Sequence, residues 1–333
     1  MSFLGDRLHL GPLPMDGNLP GFDGAAGWLN SAPLTPEDLR GKVVLVDFWT
    51  YTCINWLRTL GYVRAWAERY ADRGLVVVGV HTPEFPFERD EANVRRAVAD
   101  MRVTWPVALD PDYGVWRAFA NHYWPAIYLA DAEGSIRYHH FGEGAYDETE
   151  RAIQRLLRDA HAASVPDDLA AVSLEGIEVQ ADWGSLGSPE TYVGYQQSDG
   201  FASPGGAEPD VPRTYAVPGS LRRNEWALAG EWTVEGGAGV SAGTDAGIVF
   251  RYHARDVNLV LRSRDGASIP FRVLVDGEAP GPAHGLDVDA AGNGTLTDPR
   301  LYQLIRSPGA VADRTVEIRF DAQGAEAYVF TFG

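Results

Sequence analysis

The chain has 333 residues and a formal net charge of -18, with 22% charged and 45% apolar residues. This length exceeds what one hydrophobic core usually covers, so we expect two domains. A surface this acidic repels phosphate groups, which argues against nucleic acid and anionic membrane lipids as partners. No segment is long and apolar enough to span a bilayer, and residues 1–17 lack the pattern of a secretory signal. We therefore expect a cytoplasmic protein, of an oligomeric state that the sequence leaves open.

The chain contains one cysteine, Cys53. A single cysteine excludes an internal disulfide and a cysteine-based metal cage within one chain. The candidate metal ligands are His81 and the adjacent pair His139 and His140. Adjacent residues of a strand point to opposite faces, so one metal ion rarely binds both. The sequence indicates no metal site and no cofactor.

Residues 1–165 show the pattern of an α/β domain. Thr35, Pro36 and Asp38 have the N-cap, N1 and N3 chemistry of a helix start. Further along, continuous apolar runs predict buried strands, and apolar residues three and four apart predict helices. In chain order these are a strand at 43–49, a helix from 53 to about 70, a strand at 75–80, a helix at 91–101, a strand at 107–109, a helix at 115–120, a hairpin of strands 127–130 and 136–141, and a helix at 149–160. This order predicts a mixed sheet.

The pattern changes in the second half of the chain. Residues 182–220 are poorly patterned and rich in Pro, Gly and Ser, and we interpret residues 166–220 as a connector that packs on the domains. In residues 221–333 short alternating runs are separated by turn residues, and Asp276-Gly277 predicts a hairpin turn. The runs are 248–252, 257–262, 271–275, 316–320 and 328–332. Many short strands of this kind predict an all-β sandwich of the jelly-roll type.

Three elements suggest a thiol site. Cys53 follows a buried strand and begins a helix, where the partial positive charge of the helix favours a thiolate. An inert buried cysteine is the alternative. Asp47 lies inside the apolar strand, and burial would raise its pKa and make it a proton acceptor near neutral pH. Trp124-Pro125 precedes a strand, and the residues alone allow either a cis proline beside the thiol or an ordinary trans proline.

Together these residues resemble a known family. Val46–Cys53 is similar to the active-site strand of thioredoxins. Further motifs resemble the redoxin part and the C-terminal half of DipZ-type proteins: Trp49–Leu60, Gly79–Phe85, Tyr123–Ala126 and Phe141–Gly144, followed by Ser188–Tyr192, Arg300–Arg306 and Tyr328–Gly333. The resemblance covers most of the chain. It implies a thioredoxin-like domain followed by a carbohydrate-binding-module-like β-sandwich, with Cys53 as nucleophilic thiol, Asp47 as buried proton acceptor and Pro125 as the cis proline facing the thiol.

The sequence departs from that family in three ways. Trp56 stands where the family has its second, resolving cysteine, and Gly61 stands where a proline usually follows in the active-site helix. The membrane-embedded half of DipZ-type proteins is not part of this sequence. Because a mixed disulfide on Cys53 would have no neighbouring thiol to attack it, an ordinary dithiol cycle within one chain is excluded.

Three functions remain open. In the first, Cys53 acts as a monothiol oxidoreductase on a disulfide, peroxide or thiolated substrate, and an external thiol resolves the intermediate. Thr50 supplies the Thr-x-x-Cys part of the peroxiredoxin motif, although Val46 replaces its proline. The second is a non-redox protein that binds a ligand or partner, with Trp56 capping the thiol. The third is an enzyme that acts on a small molecule in a cleft.

The residues predicted to contact a substrate are aromatic. They are Trp56, Tyr51, Trp124 and His81. Aromatic residues of the second domain admit either a sugar site or structural packing, and packing is the preferred interpretation. These residues are Trp226, Trp232, Tyr252 and Tyr302.

Overall fold

The structure is a computed structural model that describes residues 15–161 and 164–333. The chain divides into two compact units, Met1–Ser173 and Leu174–Gly333. Residues 1–14 lie outside the described residues. They include most of the segment 1–17, for which the sequence predicted no secretory signal. Within the described part of the chain, no helix combines the length and the apolar character needed to cross a bilayer.

The first unit is a six-stranded mixed sheet with four α-helices. Its elements are β1 (Gly27–Leu29), β2 (Val43–Trp49), α1 (Ile54–Tyr70), β3 (Leu75–His81), α2 (Glu91–Asp100), β4 (Val107–Leu109), α3 (Gly114–Ala118), β5 (Ala126–Ala130), β6 (Ile136–Phe141) and α4 (Tyr146–His161). The strand order is β1-β4-β3-β2-β5-β6. Strands β2, β3 and β4 are parallel to one another, and the other pairs are antiparallel. The predicted α/β fold with a mixed sheet is confirmed.

The boundaries of these elements lie within a few residues of those predicted from the sequence, and β2 and β6 agree at both ends. The predicted helix start at Thr35 is wrong. The Thr35 hydroxyl donates to Asp38 Oδ2 at 2.7 Å and the Asp38 N–H donates back to it at 3.3 Å, but this capping geometry closes only a turn. An N-cap pattern favours a helix only where an apolar face follows to be buried, and here the chain enters β2 instead.

Strand β2 lies in the middle of the sheet and is buried along its whole length. One of its faces contributes Val44, Val46 and Phe48 to a core shared with α3. Side chains alternate along a strand, so Asp47 and Trp49 point to the opposite face, where both contact a tryptophan of α1. The strand therefore carries one carboxylate into an otherwise apolar interior, directly below the helix that begins after Cys53.

The second unit is an antiparallel β-sandwich. Its strands are β7 (Thr191–Tyr192), β8 (Arg213–Tyr215), β9 (Trp226–Val234), β10 (Gly239–Ser241), β11 (Ala246–His253), β12 (Asp256–Ser263), β13 (Ile269–Val275), β14 (Asn293–Leu296), β15 (Arg300–Arg306), β16 (Asp313–Phe320) and β17 (Ala325–Phe332). The order is β14-β13-β16-β11-β9-β10-β17-β12-β15, and the two sheets meet at β9. A core of buried apolar residues from both sheets fills the interior. The predicted all-β sandwich is confirmed.

Three features of the second unit bear on the predictions made from the sequence: a turn, the segment before the sandwich, and four aromatic residues. Asp276-Gly277 closes a tight turn between Val275 and Glu278, but the chain then runs on to β14 before it pairs again with β13. The segment between 174 and 220 belongs to the second unit and supplies β7 and β8. The aromatic residues considered for sugar binding are fully buried in the core, where they cannot face a sugar; they are Trp226, Trp232, Tyr252 and Tyr302.

Candidate functional site

Cys53 occupies the N-cap of α1 and is half-buried. Its backbone carbonyl accepts from the N–H of Leu57 at 2.9 Å, and its own N–H donates to the Thr50 carbonyl at 3.2 Å, so the main chain at this residue is held from both sides. An α-helix concentrates unpaired N–H groups and partial positive charge at its first turn. The sulfur therefore lies where a thiolate is electrostatically favoured.

The loop before β5 lies against this sulfur. The Trp124–Pro125 peptide bond is cis, and Cys53 Sγ lies 3.8 Å from the carbonyl oxygen of Trp124. Pro125 is buried, and its carbonyl accepts from the Gly142 N–H at 2.8 Å. Trp124 is partly exposed and donates through Nε1 to the Thr82 carbonyl at 3.1 Å. The structure thus brings Cys53, Trp124 and Pro125 together at the protein surface.

Below this surface, Asp47 and Trp56 form a buried pair. Trp56 Nε1 donates to Asp47 Oδ2 at 2.9 Å, and both side chains are inaccessible to solvent. Burial raises the pKa of Asp47 to about 7, with the hydrogen bond from Trp56 acting in the opposite direction. The indole thus occupies the position of the missing second thiol and takes one oxygen of the predicted proton acceptor.

Aromatic rings continue from Trp56 into the interior. The Trp49 ring stacks on Trp56 at 4.2 Å between centroids and meets the edge of His81 at 4.8 Å, and Tyr51 stacks on the other side of His81 at 5.7 Å. Trp56, Tyr51 and His81 are 0%, 3% and 2% exposed. Of the four predicted contact residues, Trp124 alone is partly exposed. Substrate contact stays a prediction for all four, and the Trp56 indole is directed at Asp47.

His81 is neutral over the physiological range, because burial lowers its pKa to about 3. Together with Glu88 and Asp110 it lines a small cavity of about 80 Å³. Among residues 15–161 and 164–333, no group of three or more His, Cys, Asp or Glu is arranged to hold a metal ion. Apolar side chains also line this cavity, among them Val94 and Leu109.

The residue before Cys53 is bonded to a carboxylate that the sequence motifs did not include. Thr50 and Thr52 are buried, and the Thr52 hydroxyl donates to Glu88 Oε1 at 2.6 Å. Burial raises the pKa of Glu88, and hydrogen bonds from Thr52 and two backbone N–H groups oppose that rise. The Thr50 hydroxyl is buried. Its contact with a peroxide oxygen stays a prediction.

A buried ion pair connects α1 to the loop that follows β6. Arg58 Nη1 lies 3.1 Å from Glu143 Oε1, and the two side chains are 2% and 5% exposed. The same loop contains Gly142, which donates to the carbonyl of Pro125. The pair therefore holds the beginning of α1 and the cis-proline loop in one arrangement.

Sequence reasoning singled out Cys53, Asp47 and Pro125 but not Glu88 or Glu143. A local signal for Glu88 was available, since Pro86 and Glu88 stand at the N1 and N3 positions of a short helical turn, which is half of a capping box. No local pattern pairs Glu143 with Arg58, because the two residues are 85 positions apart in the chain.

Two family models match the chain. The AhpC/TSA family matches residues 19–139, and the family described as thioredoxin like C-terminal domain matches residues 188–333. The first match contains Cys53 and the cis-proline loop, and the second contains all eleven strands described above for the sandwich.

Individual relatives agree with these matches. Protein DipZ of Mycobacterium bovis is 36% identical over 321 residues, which is 95% of this chain and 43% of the relative, so the chain spans less than half the length of that protein. Thiol-disulfide oxidoreductase YkuV of Bacillus subtilis is 30% identical over 142 residues, which is 42% of this chain and 95% of the relative. A solution structure of a thioredoxin-like protein in the oxidized form superposes with a TM-score of 0.40 at 30% identity, covering 43% of this chain and 96% of that one.

Proposed function

The chain belongs to the thioredoxin-like redoxin family, and from this premise we propose that it is a monothiol oxidoreductase in which Cys53 is the only reacting sulfur. The observation that supports the proposal is the position of that sulfur. It stands at the N-cap of α1 and 3.8 Å from the carbonyl oxygen that precedes the cis proline.

The monothiol character follows from the residue three positions after the cysteine. In a dithiol enzyme a second thiol at this place attacks the mixed disulfide and releases the reduced substrate. Here the place is taken by Trp56, whose indole is buried and bonded to Asp47. Resolution therefore has to come from a thiol outside this chain.

The proposed reaction is a pair of exchanges. The Cys53 thiolate attacks one sulfur of a disulfide, a bond forms between the two sulfurs, and the other sulfur leaves as a thiolate that takes up a proton. A low-molecular-weight thiolate then attacks the mixed disulfide, forms a new disulfide with the substrate sulfur and releases the Cys53 thiolate. Two electrons pass from external thiols to the substrate disulfide when a second external thiol completes the reduction.

The surface around the sulfur defines what the substrate meets. Trp124 is partly exposed and its backbone carbonyl lies beside Cys53, and Pro125 holds the main chain there. Thr50 and Asp47 lie behind this surface, where they shape the loop and the interior. Because the chain is strongly acidic, we expect neutral or cationic disulfides to react faster than anionic ones.

The test is the reaction of the full chain with bis(2-hydroxyethyl) disulfide in the presence of added low-molecular-weight thiol. We expect a Cys53 adduct in the mass spectrum, turnover that depends on the added thiol, and complete loss of both in Cys53→Ser. The rate of alkylation by uncharged iodoacetamide should follow a thiol pKa below the ordinary value of about 8.5. An ordinary pKa together with no adduct would overturn the proposal.

A second candidate is a non-redox protein that binds a ligand or partner on the same fold. The observation in its favour is the closed interior, where Trp49 stacks on Trp56 and the indole is bonded to Asp47. This candidate predicts that Cys53→Ser leaves the biological activity intact and that iodoacetamide reacts slowly with the folded protein at every pH. The monothiol proposal predicts the opposite on both counts.

A further inference from the structure

The side chain next to the reacting cysteine is tied to a buried carboxylate. Thr52 directly precedes Cys53, is 1% exposed, and donates its hydroxyl proton to Glu88 Oε1 at 2.6 Å. A hydrogen bond to a carboxylate of this length is charge-assisted and stronger than one between neutral groups. The rotation of Thr52, and with it the direction of the main chain entering Cys53, is therefore set by the position of Glu88.

Glu88 is itself fixed by its own segment. Its second oxygen, Oε2, accepts the backbone N–H groups of Glu84 at 2.7 Å and Phe85 at 2.8 Å. Glu88 is the third residue of the helical turn Pro86–Arg89, so it reaches back to the start of that turn as in a capping box. With both oxygens in use, the carboxylate joins the segment after β3 to the loop before α1.

From these contacts we propose that Glu88 is a positioning residue for Cys53 and acts on it through Thr52. The inference rests on the proposed thiol chemistry of Cys53. It assigns to Glu88 no contact with substrate and no step of proton transfer. Its role is to keep the sulfur at the first turn of α1 and against the carbonyl of Trp124.

This placement matters because the field of a helix terminus acts over a short range. The stabilisation of a charge at a helix N-terminus falls off within the first turn. If the loop at 50–52 loosens, the Cys53 sulfur spends time outside that range and the thiolate is less favoured. The pKa of the thiol then rises and its reaction at neutral pH slows, even though the protein remains folded.

The experiment measures iodoacetamide alkylation of Cys53 across pH in the full chain. Each protein yields a midpoint, which reports stabilisation of the thiolate, and a plateau rate at high pH, which reports access to the sulfur. We expect Thr52→Val to raise the midpoint by roughly half a pH unit or more, because the hydroxyl is lost while the shape is kept. Thr52→Ser keeps the hydroxyl and should restore the midpoint.

Glu88→Gln provides a second route to the same answer, should Thr52→Val fold poorly. The amide has one accepting oxygen instead of two, so it cannot serve both Thr52 and the backbone N–H groups of the turn. We expect its midpoint to rise as well. The double variant Thr52→Val/Glu88→Gln should shift the midpoint by clearly less than the sum of the single shifts, because both changes remove the same hydrogen bond.

Thr59→Val is the matched control. Thr59 is also a buried threonine near the start of α1, but its hydroxyl donates to the Asn55 carbonyl rather than to Glu88. A control that moves the midpoint as far as Thr52→Val would overturn the inference, as would variants at 52 and 88 that leave the midpoint at the wild-type value. An ordinary wild-type midpoint would count against the proposed function alone, since the differences between the variants still decide the role of Glu88.

Discussion

The surface and the interior of the thiol site differ in which parts of the family's active-site pattern they keep. Near the surface, Cys53 and the carbonyl of Trp124 lie together beside the cis Pro125. In the interior, Asp47 is bonded to the indole of Trp56. Under the proposed thiol chemistry, nucleophilic attack depends on the first region and resolution on the second, so a change at position 56 should affect resolution and leave attack in place.

The largest effect is expected when the cysteine of the family pattern is introduced at position 56. Trp56→Cys places a thiol three residues after Cys53 and above Asp47, and oxidation should join the two sulfurs in one chain. Loss of the buried indole should lower the free energy of unfolding by about 3–5 kcal/mol. Mass spectrometry and thiol titration would detect the disulfide, and reduction of bis(2-hydroxyethyl) disulfide would show whether a dithiol cycle follows.

Trp56→Ala distinguishes the effect of losing the buried indole from the effect of gaining a thiol. It should lose about the same stability by chemical denaturation, again about 3–5 kcal/mol, without forming a disulfide. Trp66→Ala is a further control on the same helix, since its indole also donates to a buried carboxylate, Glu150, at 3.0 Å. If Trp56→Cys keeps two free thiols after treatment with an oxidant, position 56 does not face Cys53. The distinction between the surface and the interior of the thiol site would then fail.

The second effect concerns the charge of Asp47. Burial raises its pKa from 3.8 to about 7, so the folded protein holds a proton there that the unfolded chain releases at lower pH. Stability from this group is complete below the unfolded value and is lost as pH rises through the folded one. A pKa difference of roughly 3 corresponds to roughly 4 kcal/mol in total, of which roughly 2–3 kcal/mol is lost between pH 5 and pH 8.

Asp47→Asn should abolish this loss, because the amide oxygen still accepts from Trp56 and carries no charge. The measurement is urea denaturation at pH 5 and pH 8 of both proteins. The difference between them isolates Asp47, since the other buried carboxyl groups are common to both. Asp112→Asn, at a side chain that is 83% exposed, controls for the change in net charge. Equal pH dependence of wild type and Asp47→Asn would show that Asp47 titrates normally.

The third prediction tests the connection between α1 and the cis-proline loop. Glu143→Gln removes the charge of the carboxylate that pairs with the buried Arg58, and we expect a loss of about 3 kcal/mol in unfolding free energy. The alkylation rate of Cys53 should fall with it, since Gly142 of the same loop holds the carbonyl of Pro125. Glu91→Gln breaks an exposed pair with Arg95 and should cost less than about 0.5 kcal/mol.

The parts of this site that sequence reasoning found are those defined by local pattern. Strand β2 was recognisable because its run of apolar residues is nearly continuous. The burial of Asp47 followed from its position between Val46 and Phe48, and the N-cap position of Cys53 followed from the change of periodicity after β2. Such features depend on the alternation of side chains along a strand and on the spacing of apolar residues along a helix. Both patterns can be recognised within one segment of the sequence.

The parts that sequence reasoning missed depend on contacts between distant segments. The Thr52–Glu88 bond joins residues 36 positions apart, and no local pattern pairs one with the other. The bond from Trp56 to Asp47 depends on the direction in which an indole packs, and spacing does not determine that direction. Strand β9 was missed because Gly230 and Glu231 interrupt its alternation, although tertiary packing buries most of the strand.

The smallest expected effect lies at the surface. Trp124→Phe keeps a smaller aromatic ring, and it removes the N–H that donates to the carbonyl of Thr82 at 3.1 Å together with part of the ring that packs against Trp116. A single partly exposed hydrogen bond contributes about 1 kcal/mol, so the denaturation midpoint should move slightly and the alkylation midpoint of Cys53 very little.

Trp124→Ala removes the ring as well and is the informative partner of that variant. If the ring is what a disulfide substrate meets first, KM for bis(2-hydroxyethyl) disulfide should rise in Trp124→Ala while the pH midpoint of Cys53 alkylation stays at the wild-type value. A rise of KM in Trp124→Phe of equal size would assign the effect to the hydrogen bond with Thr82, and therefore to the shape of the loop rather than to contact with the substrate.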